Sequence, residues 1–181
     1  MKRFFYLLFF FIVACESANE SPAVGNTSPA LSSLQSEIHA LELRSKSDTA
    51  LTRPEALRLL NIYQDRYNLI PRDSAAISGL FEAARIADGL GNFDKAIELL
   101  GVFHEASLNP ERRAEAAFLV AFIYDAHVKN AGKATDYYNK VIEMYPASSW
   151  AQQAKDALHL VGKSDDELIR LLEEKSKQKS S

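Results

Sequence analysis

The sequence predicts an all-α chain built from antiparallel helix hairpins. Three observations carry this. From Leu31 onward, apolar residues recur at the spacing of one helix face, with no alternating strand pattern. Start and stop signals follow one another closely, so loops are short and consecutive helices run antiparallel. A segment also repeats: "LFEAARIADGLGNFDKAIELL" from Leu80 aligns with "AFLVAFIYDAHVKNAGKATDYY" from Ala117, with one extra residue in the second turn.

The elements follow in order. Leu34, Ile38 and Leu41 mark a first, weaker helix. Thr52-Arg53-Pro54-Glu55 is a capping box with proline in the first turn. It opens a helix carrying Leu57, Leu60, Tyr63 and Tyr67 on one side, which Pro71 stops. A third helix runs from about Asp73 to Leu90 and ends at Gly91; a fourth starts near Asn92. Asn109-Pro110 opens a fifth through about Lys129, and a sixth covers Lys133 to Tyr145 before Pro146. Ser149 with Gln152 starts a seventh that Gly162 ends, and Ser164-Asp165-Asp166-Glu167 caps a last one. Residues 31–175 thus form the helical domain, and 176–181 a disordered tail.

Within the repeat, Phe81 matches Phe118 and Ala84 matches Ala121 at 37 residues, while Ala96 matches Ala134 at 38. Alanine suits a place where two helices cross closely, because a larger side chain would push them apart. Leu90-Gly91-Asn92-Phe93-Asp94-Lys95-Ala96 in one unit resembles the tetratricopeptide repeat. So do Ala121, Tyr124, Lys133-Ala134, Tyr138 and Tyr145-Pro146 in the next. The first unit departs from that pattern by carrying Ala87 in place of the usual tyrosine and by ending late, at Pro110. The likeness covers roughly Pro54 to Leu172. It implies hairpins stacked as a short right-handed superhelix whose first helices line a concave groove.

The amino terminus has its own logic. Lys2 and Arg3 precede the apolar run Phe4 to Val13, in the order of a secretory leader over residues 1–14. At about 1.5 Å per residue such a helix covers roughly half of the ~30 Å hydrocarbon layer, too little to span it. Ile12-Val13-Ala14-Cys15 resembles the lipobox of bacterial lipoproteins, and Cys15 is the single cysteine of the chain. The resemblance implies cleavage before Cys15 and acyl chains on it, enough for stable membrane attachment. Residues 15–30, rich in Ser, Pro, Asn and Gly, have too little to bury to offset the entropy of ordering and read as a flexible tether. Lipobox and repeats together are similar to the envelope tetratricopeptide lipoproteins of the BamD and CpoB kind. Glu16, where enteric inner-membrane lipoproteins carry aspartate, points to the outer membrane, with the leaflet open.

Without Lys2 and Arg3, 19 basic side chains face 24 acidic ones, a formal charge of −5. That balance argues against a nucleic-acid binder. No disulfide is available within the chain, so an apolar core must hold the fold. His39, His104, His127 and His159 lie on separate predicted helices without a metal-ligand spacing, and read as surface residues. The glycines form no phosphate loop, and no G-x-S-x-G elbow occurs. "DGLGNFD" lacks the ordered oxygen ligands of a calcium loop and reads as a hairpin turn. The expectation is a non-enzymatic scaffold without cofactor or metal that binds other envelope proteins. A ligand-binding or cell-wall-linking helical lipoprotein is the alternative.

The resemblance places Ser78, Phe81, Arg85 and Asp88, then Glu115, Phe118, Phe122 and Asp125, along the groove. Phe81 and Phe118 either offer an apolar slot or pack between repeats. Phe122 is the sharper candidate, because its match in the other unit is Arg85, a residue for solvent. Arg85 is a candidate anchor for a carboxylate or carbonyl. Trp150, opening the next first helix, either caps the groove or fills the core.

Overall fold

Helix starts need acceptors for free N–H groups, and the sequence supplies one at nearly every start. In a computed structural model, which describes residues 28–46 and 50–164 with Asp166, Glu167, Ile169, Arg170, Glu173 and Lys177, seven helices follow one another. They are α1 (Pro29–Lys46), α2 (Arg53–Leu69), α3 (Ser74–Gly89), α4 (Phe93–Ala106), α5 (Pro110–Ala126), α6 (Ala131–Met144) and α7 (Ser149–Leu158). The leader, Cys15 and the tether as far as residue 27 lie outside the described residues. No strand occurs among the described residues, and none of their helices is long and apolar enough to cross a membrane.

The caps explain the boundaries. Asp73 Oδ1 accepts from the Ala76 N–H at 2.8 Å, Asn109 Oδ1 from Glu111 at 3.0 Å, and Asn130 Oδ1 from Lys133 at 3.0 Å. Glu55 turns back to accept from both the N–H and the hydroxyl of Thr52. Ser164 and Glu167 close the expected reciprocal box, and helical residues follow as far as Lys177, which the sequence reading placed in the tail. Several boundaries move, among them the start of α6, at Ala131 rather than Lys133. α1 starts at Pro29, two residues inside the expected tether, with the Ser28 hydroxyl accepting from Leu31. α5 stops at Ala126 rather than Lys129, and Ser148, not Ser149, caps α7 by accepting from Ala151 at 3.1 Å.

Each helix packs on its neighbours in sequence, and α5 also touches α7. The extra residue in the second repeat sits in its turn, as aligned. Asn92 donates its N–H to the carbonyl of Ala87, five residues back, whereas Asn130 reaches Tyr124, six back. Gly91 takes φ +75° in the first turn, and Lys129 takes φ +58° at the matching place in the second, a left-handed conformation costly for a side chain.

Two apolar cores share α5. Leu60, Ile62, Leu80, Phe81, Leu100 and Phe103 belong to the first, with Val120 and Ile123 from α5. The second joins Ala117 and Ala121 of α5 to Ala134, Tyr138, Val141 and Ala154. Ala84 and Ala96 are buried in one core, Ala121 and Ala134 in the other. The α2–α3 hairpin is tighter still, since a Cβ on Gly79 would lie 2.7 Å from Tyr63 Cδ1. One expected face is corrected: Leu57 is 40% exposed, and α2 buries Leu59, Leu60, Ile62 and Tyr63. Because α2 lies between α1 and α3, its covered arc centres away from Leu57.

α1 is attached differently, with Ile38 its one fully buried residue among those described. Polar clasps complete the contact: Glu37 receives two hydrogen bonds from Arg58 at 2.6 and 2.7 Å, and Glu42 accepts from Tyr63. Near the end of α6, Tyr145 Oη and His104 Nε2 are 2.7 Å apart, tying α4 to α6. Burial, with the nearby Arg113 charge second, pushes the His104 imidazole below its ordinary pKa.

Two outcomes are expected. Ala96→Leu overpacks the α3–α4 crossing and costs about 1–3 kcal/mol, read as a lower thermal midpoint; an unchanged midpoint would contradict the crossing. The fold lowers the His104 pKa, so its contribution is complete above the unfolded imidazole value of about 6.5 and falls as pH drops below it. Between pH 7.5 and 5.5, His104→Gln should therefore lose less stability than the wild type in a melting series.

Candidate functional site

Three hollows are each lined by two successive odd-numbered helices, with the intervening helix contributing to the wall. The first, about 440 Å³, is bounded by α1 and α3, with Ile38, Glu42, Ser78 and Glu82 in its wall. The second, about 270 Å³, lies between α3 and α5 and is lined by Arg85, Asp88, Leu119 and Phe122. The third, about 520 Å³, lies between α5 and α7 and holds Phe118, Phe122, Asp125, Tyr138 and Leu160. Phe122 borders both of the last two and is 43% exposed.

Helical spacing puts these side chains together. Arg85 and Asp88 are three apart on α3; Phe118, Phe122 and Asp125 are four and three apart on α5. Of the eight residues expected along one groove, six line these hollows: Ser78, Arg85, Asp88, Phe118, Phe122 and Asp125. Arg85 is well exposed, its guanidinium 3.3 Å from Glu82 one turn earlier, a surface pair that holds it only weakly. Asp125 lines the third hollow and accepts from the Gly162 N–H at 3.5 Å. Ser78 is exposed beside the first, with its hydroxyl donated to the Ser74 carbonyl.

Phe81 does not line the groove. It is 2% exposed, meets Phe103 edge to face at 5.0 Å, and carries the Arg112 guanidinium 4.0 Å above its ring. Arg112 is itself paired with Glu115 at 2.7 Å, which draws Glu115 into the seam between α3 and α5. Phe118 has a mixed position. It packs on Trp150 at 5.1 Å and on Tyr138 at 5.3 Å, while another part of it faces the third hollow. Trp150 is partly buried and packs against the second core.

Sequence reasoning missed two features. Leu160, 45% exposed, adds an apolar wall to the third hollow; its signal was only one leucine near a helix end. His127, read as a plain surface residue, stacks flat on Phe93 with ring centres 4.5 Å apart. Nothing local announces that contact across 34 residues.

Burial, with the Asp125 charge second, pushes the Tyr138 hydroxyl up to about 12, so it stays protonated. Burial, then the hydrogen bond to Glu42, raises Tyr63 further in the same direction. His104 lines none of the three hollows. Among the described residues, no group of three or more His, Cys, Asp and Glu is placed to hold a metal ion. The face offers an exposed aromatic ring and an exposed guanidinium, types enriched at protein interfaces, beside carboxylates, which are depleted there. No protein-family model matches the chain. No curated protein matches it either.

Proposed function

We propose that this chain is a non-enzymatic scaffold that binds other proteins of a bacterial envelope across the face of α3, α5 and α7. In this reading the hairpins stack as a short right-handed superhelix of the tetratricopeptide kind. Cys15 carries the lipid that moors it, most naturally to the outer membrane, and the segment up to Ser28 holds the domain off the bilayer.

One observation carries the docking role: the hollows recur between successive odd-numbered helices, and Phe122 stands between two of them. A large aromatic left in water at such a point is worth little to the fold and much to a partner that covers it. The repeat register supports the superhelix: alanines recur in both hairpins, the turn takes one extra residue, and α5 meets α7. The lipid anchor rests on the residues around Cys15.

Phe122→Glu tests the face. Its ring is exposed enough for the variant to fold, and the loss of a central aromatic anchor of about 2 kcal/mol is ~30-fold in affinity. Pull-down from detergent-solubilised envelope should recover proteins with the wild type that the variant loses. Identical recovery by both would remove the docking role from this face. Cys15→Ala should leave the chain unprocessed or released from the membrane fraction, and a processed variant that stays tightly attached would end the anchor assignment.

A further inference from the structure

Beside the second hollow, where α3, α4 and α5 meet, one imidazole touches all three helices. His127 ends α5, its N–H donated to the Ile123 carbonyl at 3.0 Å. Its ring lies within 4° of parallel to Phe93, the first residue of α4, and stands perpendicular to Phe122 with centres 5.9 Å apart. Nε2 faces Asp88 Oδ1, in the last turn of α3, across 3.6 Å. That oxygen is out of solvent and accepts no hydrogen bond among the described residues. His127 therefore contacts both residues, Asp88 and Phe122, that wall the hollow from opposite sides.

We propose that His127 is a proton-operated clasp on the docking face: protonated, it binds Asp88 and fixes the α3–α5 hollow at one width; neutral, it releases it. The proposal rests on the docking role given above to that face and adds its regulation. Imidazole changes charge between about pH 5 and 8, and an imidazolium offers an N–H at both nitrogens. Its partner is a carboxylate oxygen removed from water, which gains most from a charged donor. The same charge would sit at the carbonyl end of α5 and over the face of Phe93, both favourable for a cation.

The other charged groups around the ring do not supply this contact. On α3, Arg85 is turned to Glu82. On α4, Phe93 faces the ring, and Lys95 is held by Glu98 at 2.9 Å; Asp94 beside them is exposed. On α5 and its turn, Asp125 is engaged with the Gly162 N–H and Lys129 is exposed.

A double-mutant cycle on the full chain tests the clasp, with Asp88→Asn, His127→Phe and both together melted at pH 5.5 and 8.0. Phenylalanine keeps a ring on Phe93 and removes the charge. At pH 5.5 the double variant should lose less than the summed single losses, by about 3 °C; at pH 8.0 the losses should add. Additivity at pH 5.5, or the same coupling at both pH values, overturns the proposal. A second measurement cancels the pH dependence that the rest of the fold contributes. After correction for intrinsic rates, the ratio of exchange at pH 5.5 to exchange at pH 8.0 for the Leu90 amide should be about three-fold lower in the wild type than in His127→Phe, and equal ratios overturn the proposal. Neither measurement involves a partner, so either result leaves the Phe122→Glu pull-down to judge the docking face by itself.

Discussion

A helix that serves two cores has little side-chain volume to give to either. α5 is in that position: Val120 and Ile123 face the α1–α4 side, Ala117 and Ala121 face α6 and α7, and Ala114 and Ala116 are buried as well. With neighbours on so many sides, alanine keeps the separation between axes short while still removing the backbone from water. The larger rings are then displaced to the seams, where Phe81, Phe103, Phe118 and Tyr138 fill the space that the alanines leave. Close crossing and aromatic seams are two consequences of one packing constraint.

The same constraint relaxes toward the amino-terminal end. α1 packs mainly on α2 and contributes Ile38 alone to the buried set, with Leu34 and Leu41 partly buried against the same core. The polar clasps from Glu37 to Arg58 and from Glu42 to Tyr63 add to that apolar contact and help set its register on α2. The Arg58 hydrogen bonds, then its charge, hold the Glu37 carboxyl below the usual carboxylate range. Contacts of this exposed kind give direction more than stability.

Most of the helical plan was legible because it is written locally. Capping residues, the proline starts and Gly91 act within four or five residues, so Thr52, Asn92, Asn109 and Ser164 marked their helices from sequence alone. The repeat offset was legible to the single residue, as the Asn92 and Asn130 hydrogen bonds show. What failed was non-local. Leu57 has the periodicity of a buried position, yet the arc covered by two neighbouring helices excludes it. Phe81 carries no sign that Arg112, on the next first helix, will close over it. The stack of His127 on Phe93 joins the end of α5 to the start of α4, and only the folded chain reveals where that ring lands.

The fates of three phenylalanines show how imperfect repetition changes burial at matched positions. Phe81 and Phe118 occupy matched positions, and each is met by the following first helix: Arg112 covers one, Trp150 abuts the other. Phe122 stands one turn further along, matched to Arg85 in the preceding unit. A pair of apolar residues there would have met across the seam and become core. Arg85, directed to Glu82 and solvent, shares a hollow with Phe122, whose ring is met edge to face by His127 and stays 43% exposed. A charged residue in one unit and an apolar one at the matched place in the next thus leave a position at the seam that is only partly covered, where two apolar residues could have packed together.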